Sequence, residues 1–249
     1  MIKLIRPFAP KAIRETSNAL RRDVNSKIKK HNGFDKIPKE EKNSFWNKFK
    51  RCEGIDLIKA MSHKKCAYCE SAIELSSYIE LDHFFPQSLF PSSAYSWKNL
   101  LPCCSRCNKA KSNLNTKLYP IINPAKYDPI DYIRYQGTYP VPRQDIHHSK
   151  WIIAFRTIQI LNLDRSVILR SRQPLYRAFI ELEISIKEKL EEREVANGTQ
   201  NITKIDEAIL SSLETIESMS SYDNQFTGWI TSIINESEIV LKAKQTVAK

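Results

Sequence analysis

Apolar positions recur at helical spacing along much of the chain. Ile13, Leu20, Val24 and Ile28 fall near one face of the stretch from Ala12 to His31, which predicts a helix ended by Gly33. Pro38 to Arg51 predicts a second helix, with proline near its first turn and Phe45, Trp46 and Phe49 on one side. Ile55 to Met61 predicts a short third. From Cys66 to Asn115 the helical period breaks into cysteines, prolines, serines and short apolar runs, a loop-rich stretch that needs an internal staple. Inside it Ile79, Leu81 and His83 alternate with Glu80 and Asp82, a short strand ending at Pro86. Tyr127 to Pro142 reads as a turn and then a hairpin around Gly137. After Ser149 the helical period returns. Trp151 to Leu163 is one element, and Arg165 to Val195 is a long helix or two, stopped by Asn197 and Gly198. Thr203-Lys-Ile-Asp206 resembles a capping box ahead of the stripe Ile205, Ile209, Leu213 and Ile216. Trp229, Ile230, Ile233 and Ile234 suggest a last helix. These stripes are read as helix packing.

Composition adds exclusions. The 249 residues contain only 5 glycines, and no two lie close enough to build a phosphate loop or a dinucleotide-binding turn. No apolar run approaches the roughly 20 residues that cross a bilayer. The first residues lack a long apolar run followed by small residues, so no secretory leader is expected and the expected compartment is the cytoplasm. The net charge is +11, and its placement is uneven: residues 1–65 hold 18 Lys or Arg against 7 Asp or Glu, whereas 146–249 hold 13 against 14. A basic first quarter points to a polyanion. The near-neutral last part suits protein contact better.

Two C-x-x-C knuckles, Cys66/Cys69 and Cys104/Cys107, lie 34 residues apart. Each can aim two thiolates at one point, and four thiolates make a closed tetrahedral zinc site. Disulfides need an oxidising compartment that nothing here indicates, and a thioredoxin-type pair needs a βαβ setting that is absent. Cys104 is preferred over its neighbour Cys103 because it completes the second x-x spacing. Cys52 and Cys103 are then small buried hydrophobes. The loop closed by the zinc carries Asp82-His83, then Asn99 after Trp97, and Asn108 directly after Cys107. A lone Asp-His pair says little, whereas this ordered set inside a stapled loop says more.

That set resembles the HNH endonucleases. The resemblance implies a small ββα-metal (His-Me finger) module with a four-cysteine zinc knuckle, set in a mainly α-helical chain. The Asp-His pair would sit on the first strand, an Asn on the second and an Asn, in place of His, at the helix. A closer likeness is to the retron-associated and Septu-type PtuB endonucleases. It is carried by the opening Met1-Ile-Lys-Leu-Ile-Arg-Pro7, Cys66-Ala-Tyr-Cys69-Glu70, Asp82-His83-Phe84-x-Pro86-x-Ser88, Trp97-x-Asn99-Leu100, Cys104-x-x-Cys107-Asn108-x-x-Lys111, Asn123-Pro124, Asp128-Pro129, and Leu161-Asn162-Leu163 with Arg170 or Arg172 downstream. The family usually shows Glu where Asp82 stands. It implies anti-phage defence alongside a PtuA-like ABC-type ATPase, sometimes with a reverse transcriptase.

Phosphodiester hydrolysis then assigns roles. His83 is the expected general base, oriented from the Asn99 strand. Asp82 and Asn108 offer oxygens that suit Mg²⁺ or Mn²⁺. Glu80, on the same strand face as Asp82, is a supporting group, an occasional metal ligand or a surface carboxylate. Lys109 and Lys111, at the expected helix start, and Lys64 and Lys65 are the expected phosphate contacts. His63 reads as a surface or phosphate-contacting residue, and His147 and His148 as exposed. The expected organisation is a basic helical segment at 1–60, the nuclease core at 61–125, and a hairpin with helices at 126–249 for partner docking. The alternative is a zinc-stapled nucleic-acid-binding or interaction subunit without catalysis, which needs the cysteines and the basic segment but not the Asp82, His83, Asn99, Asn108 order.

Overall fold

The first apolar stripe folds as read. Helix α1 spans Lys11–His31 and buries Ile13, Leu20 and Val24. Its stop is Asn32 rather than the glycine: Asn32 sits at φ 55° and its N–H caps the Ile28 carbonyl. A short polar side chain tolerates the left-handed conformation there. The computed structural model describes residues 1–73 and 79–248. Helix α2 (Lys39–Lys50) follows Pro38 and buries Phe49, and α3 is Asp56–Ala60.

Strand β1 (Glu80–His83) pairs antiparallel with β2 (Leu100–Cys103), in a register that sets Glu80 opposite Cys103 and His83 opposite Leu100. Cys104 alone separates β2 from α4 (Ser105–Lys111). Two strands and a helix thus make the expected ββα unit. A second hairpin joins β3 (Ile133–Gln136) to β4 (Tyr139–Pro142), and Gly137, at φ 59°, supplies the turn.

The rest is helical: α5 (His148–Leu161), α6 (Ser166–Val195), α7 (Thr199–Met219), α8 (Thr227–Glu236) and α9 (Glu238–Val247). Residues 166–195 form one helix, which runs through Pro174. The expected capping box does not cap: α7 starts at Thr199, so Thr203 lies inside it and bonds back to the Thr199 carbonyl at 3.0 Å. Asp206 instead pairs with Arg193 of α6 at 2.5 Å. A further helix follows the one around Trp229, because the Ser237 hydroxyl accepts the Val240 N–H and opens a new first turn.

One hydrophobic core runs from Met1 through Tyr68, Leu100, Phe179 and Trp229 to Ala243. Polar ties cross it. The buried Glu70 carboxylate pairs with the Met1 ammonium and accepts the Gly228 N–H, while its carbonyl accepts the Phe226 N–H at 3.2 Å. A Cβ at residue 228 would sit 2.6 Å from the Met1 carbonyl oxygen, so only glycine fits this approach. Arg172, also buried, donates to the Thr138 carbonyl at 2.8 Å and lies over the rings of Tyr135, Phe226 and Trp229. Among the described residues no helix is long and apolar enough to cross a membrane.

Candidate active site and metal centre

The sulfur cluster forms where the two knuckles meet. Cys66, Cys69, Cys104 and Cys107 place their sulfur atoms within 4.8 Å of one another. Four convergent sulfurs are the donor set of a closed tetrahedral site, so these residues could hold one zinc ion. Cys104 is the member, not Cys103. Cys103 is buried in β2 and burial pushes its thiol pKa up, so it stays a neutral thiol. Arg165, at the start of α6, sets both terminal nitrogens 3.8 Å from the Cys107 sulfur and also donates to the Leu161 and Asn162 carbonyls. A guanidinium there offsets the negative charge that thiolates bring.

The hairpin presents the catalytic candidates. Asp82 is buried, and both its oxygens are occupied: Oδ1 accepts from Lys111 Nζ at 2.8 Å and Oδ2 from the Tyr68 hydroxyl at 2.5 Å. Burial, then the Asp82 charge, pushes the Tyr68 pKa well up, so its phenol remains a donor. Asn108 turns to the other carboxylate and donates to Glu80 Oε2 at 2.7 Å. The structure therefore splits the oxygen donors into two engaged groups, Asp82 with Lys111 and Tyr68, and Glu80 with Asn108.

His83 follows Asp82 on β1. Its Nε2 is buried with no hydrogen-bond partner among the described residues, and the Trp46 ring of α2 packs against the imidazole, centroids 5.0 Å apart. Burial pushes its pKa down to about 4, against smaller opposing effects from the Asp82 charge and a backbone hydrogen bond with Ala94. The imidazole is neutral at neutral pH, as a proton acceptor must be. The Ala94 backbone faces the ring, on the loop that Asn99 holds. Asn99 closes the 3₁₀ turn Trp97–Asn99 just before β2, not the strand itself. Its amide accepts the Phe85 N–H at 2.7 Å and donates to the Phe85 and Ser93 carbonyls at 3.0 Å each. It braces the loop that carries Ala94.

Two expected phosphate contacts are corrected. Lys111 is buried and lies in the last turn of α4, where it donates to Asp82 and to the His83 carbonyl, both at 2.8 Å. A buried carboxylate needs a cation more than solvent needs a lysine. Lys65 is buried too, held by the Tyr222 and Asn224 carbonyls and the Thr227 hydroxyl of the helical region. Lys64 and Lys109 lie at the surface. His63 contacts Asp223 at 3.0 Å.

Sequence reading missed Trp46, Tyr68, Ala94 and Arg165. Trp46 was visible as part of an apolar stripe, but a stripe does not say that one of its rings meets an imidazole. Tyr68, between two knuckle cysteines, and Arg165, far along the chain, gave no signal of their own.

Comparison with known proteins agrees with this geometry. Residues 66–114 match the family model described as HNH endonuclease. The chain is 28 % identical over 192 residues to a Septu protein PtuB of Bacillus thuringiensis, covering 76 % of this chain and 71 % of that protein. It is 30 % identical over 113 aligned residues to a Septu protein PtuB of Bacillus mycoides strain KBAB4, covering 33 % of this chain and 38 % of that protein. Hairpin, helix and sulfur cluster together thus form an HNH endonuclease domain, a phosphodiester-hydrolase module, in a chain similar to PtuB.

Proposed function

We propose that this protein is the metal-dependent nuclease of an anti-phage defence pair, hydrolysing phosphodiester bonds of nucleic acid with His83 as general base. One observation carries the reading: a neutral imidazole whose buried Nε2 has no partner among the described residues stands on a short strand with Asp82 and Glu80, facing a helix that brings Asn108. A water that gives its proton to Nε2 becomes the attacking hydroxide. The Ala94 backbone and the Asn99-braced loop hold the ring in place during that transfer.

Asp82, Asn108 and Glu80 offer carboxylate and amide oxygens, hard donors that fit Mg²⁺ or Mn²⁺. A carboxylate has about four lone-pair sites, so the two hydrogen bonds on Asp82 leave it able to share a cation. When bound, such an ion neutralises the phosphoryl group and stabilises the leaving oxygen. The four sulfurs would hold zinc and fix the knuckles to the helix, with no part in the chemistry. An ABC-type ATPase is the proposed partner on the strength of the likeness to PtuB, and the near-neutral helices after residue 146 are its proposed docking face.

The test is a cleavage panel of plasmid, single-stranded DNA and structured RNA, with Mg²⁺, Mn²⁺ or EDTA, with and without the ATPase, and with His83→Ala as control. Cleavage that requires the divalent ion and is lost in His83→Ala is expected. Undiminished cleavage by that variant rejects the mechanism.

A further inference from the structure

A cleft of about 1530 Å³ opens between α1 and the segment that follows α4, floored by the loop after β1. It shares a wall with the catalytic candidate. Phe84 and Phe85, which follow His83, line it, and so does Tyr95, which follows the Ala94 that bonds the imidazole.

The lining has one sign of charge. Arg14 and Arg21 reach it from α1, Lys98 from the loop, and Lys117 and Lys126 from the far side, and among the described residues no Asp or Glu lines it. All five are exposed, and among the described residues none has an ion pair with a carboxylate. Some cations elsewhere are matched, Lys27 with Glu41 at 2.6 Å and Lys244 with Glu217 at 2.6 Å, while among the described residues others such as Arg22, Lys29 and Lys30 are not. What sets the five apart is that they line one groove. Lys117 lies 4.5 Å from the Phe90 ring centre, a contact that keeps its charge, and cations without carboxylate partners along a groove focus a positive field in it. Arg6 is different, since its guanidinium donates to the Trp97 and Leu100 carbonyls and belongs to the wall.

Aromatic faces lie among these cations. Phe8, 100 % exposed, and Tyr127, 42 % exposed, both line the cleft, with Lys126 4.9 Å from the Tyr127 ring centre. A fully exposed phenylalanine does nothing for the fold, whereas an open ring beside phosphate-binding cations suits a nucleobase. Stacking requires bases that are free of a duplex, and an acidic protein would have no need of it.

We propose that this cleft is the binding track for a single-stranded segment of nucleic acid, with phosphates on the five cations and bases on Phe8 and Tyr127. The proposal rests on the nuclease reading for its substrate class, but its test reads binding alone. The probes are a fluorescein-labelled 20-nucleotide DNA, the same sequence as RNA, and the matching DNA duplex. Anisotropy is measured on the full chain carrying His83→Ala, with no Mg²⁺ or Mn²⁺ added and no chelator, so that no cleavage intervenes and the zinc is kept.

Arg14→Glu with Lys117→Glu is expected to weaken single-strand binding by about tenfold or more. It should also flatten the salt dependence by roughly 1.4 in the log–log slope, near 0.7 per lost phosphate contact. Phe8→Ala is expected to weaken it about tenfold with the slope unchanged. Lys187→Glu on α6, with circular dichroism on every variant, controls for charge and folding. Unchanged affinity and slope in the double reversal overturn the track. Tighter binding of the duplex, or equal displacement of the probe by polyglutamate, overturns the single-strand assignment. Loss of binding in the reversal supports the track even if the parent protein cleaves nothing, and cleavage with unaltered binding in the reversal refutes it.

Discussion

Lys111 Nζ lies 2.8 Å from Asp82 Oδ1, and both side chains are almost fully buried, 1 % and 3 % exposed. The pair joins the end of α4 to the middle of β1. Removing the cation leaves a carboxylate in the interior with only the Tyr68 hydroxyl. Lys111→Met is therefore expected to destabilise the protein by about 3–5 kcal/mol in urea unfolding. Nucleic-acid affinity should change little in protein that remains folded. A large affinity loss with unchanged stability would return Lys111 to a phosphate-binding role.

The four sulfurs predict one zinc per chain by elemental analysis. Cys66→Ser and Cys107→Ser should each lose the metal and unfold at lower denaturant, because the site ties two distant knuckles together. Cys103→Ser should retain full zinc, since that residue lies outside the cluster. A zinc-free protein of undiminished stability would remove the site.

His83 gives a pH prediction. In the metal-free protein its ring should titrate near pH 4 by NMR, because burial disfavours the imidazolium. Trp46→Ala opens the ring to water and should move the titration up toward 6.5. The sign for stability follows. The unfolded chain takes this proton first, so the contribution is complete above pH 6.5 and is lost as pH falls from there through 4. A titration near 6.5 in the unaltered protein would mean that the ring is solvated.

Asn99→Ala removes three hydrogen bonds and leaves the Phe85 amide and two carbonyls unmatched. A stability loss of about 2–3 kcal/mol is expected by urea titration. If Asn99 positions His83 through the loop, the turnover of the remaining folded enzyme should fall at unchanged substrate affinity. A change in affinity alone would place Asn99 against the substrate instead.

Much of the fold could be read from the chain because its helices carry their own period. Residues 11–31 and 166–195 show continuous stripes, and the structure moves their boundaries by only a residue or so. Thr203 misled because a Thr-x-x-Asp pattern has the form of a cap wherever it falls. Gly198, at φ 87°, had already let the chain turn into α7 four residues earlier. Within the site, the doubled C-x-x-C spacing was legible because metal ligation fixes residue type and separation together. The lysines were not. Sequence marks Lys65 and Lys111 as charged but cannot say whether a buried carbonyl or carboxylate will claim them. The cleft was half legible: the basic first quarter supplied Arg14 and Arg21, while Lys98, Lys117 and Lys126 came from a stretch whose charge nearly balances.

Glu70 follows directly on Cys69, and its carboxylate and carbonyl hold the backbone amides of Gly228 and Phe226. The turn that carries two of the four sulfurs is thus sewn to a segment more than 150 residues away in sequence. A truncated protein that ends before that segment would leave the Glu70 carboxylate to the Met1 ammonium alone and its carbonyl without the Phe226 amide. Residues 61–125 cut out by themselves would lack these ties, and the knuckle and the helices around residue 228 are expected to lose structure in one transition.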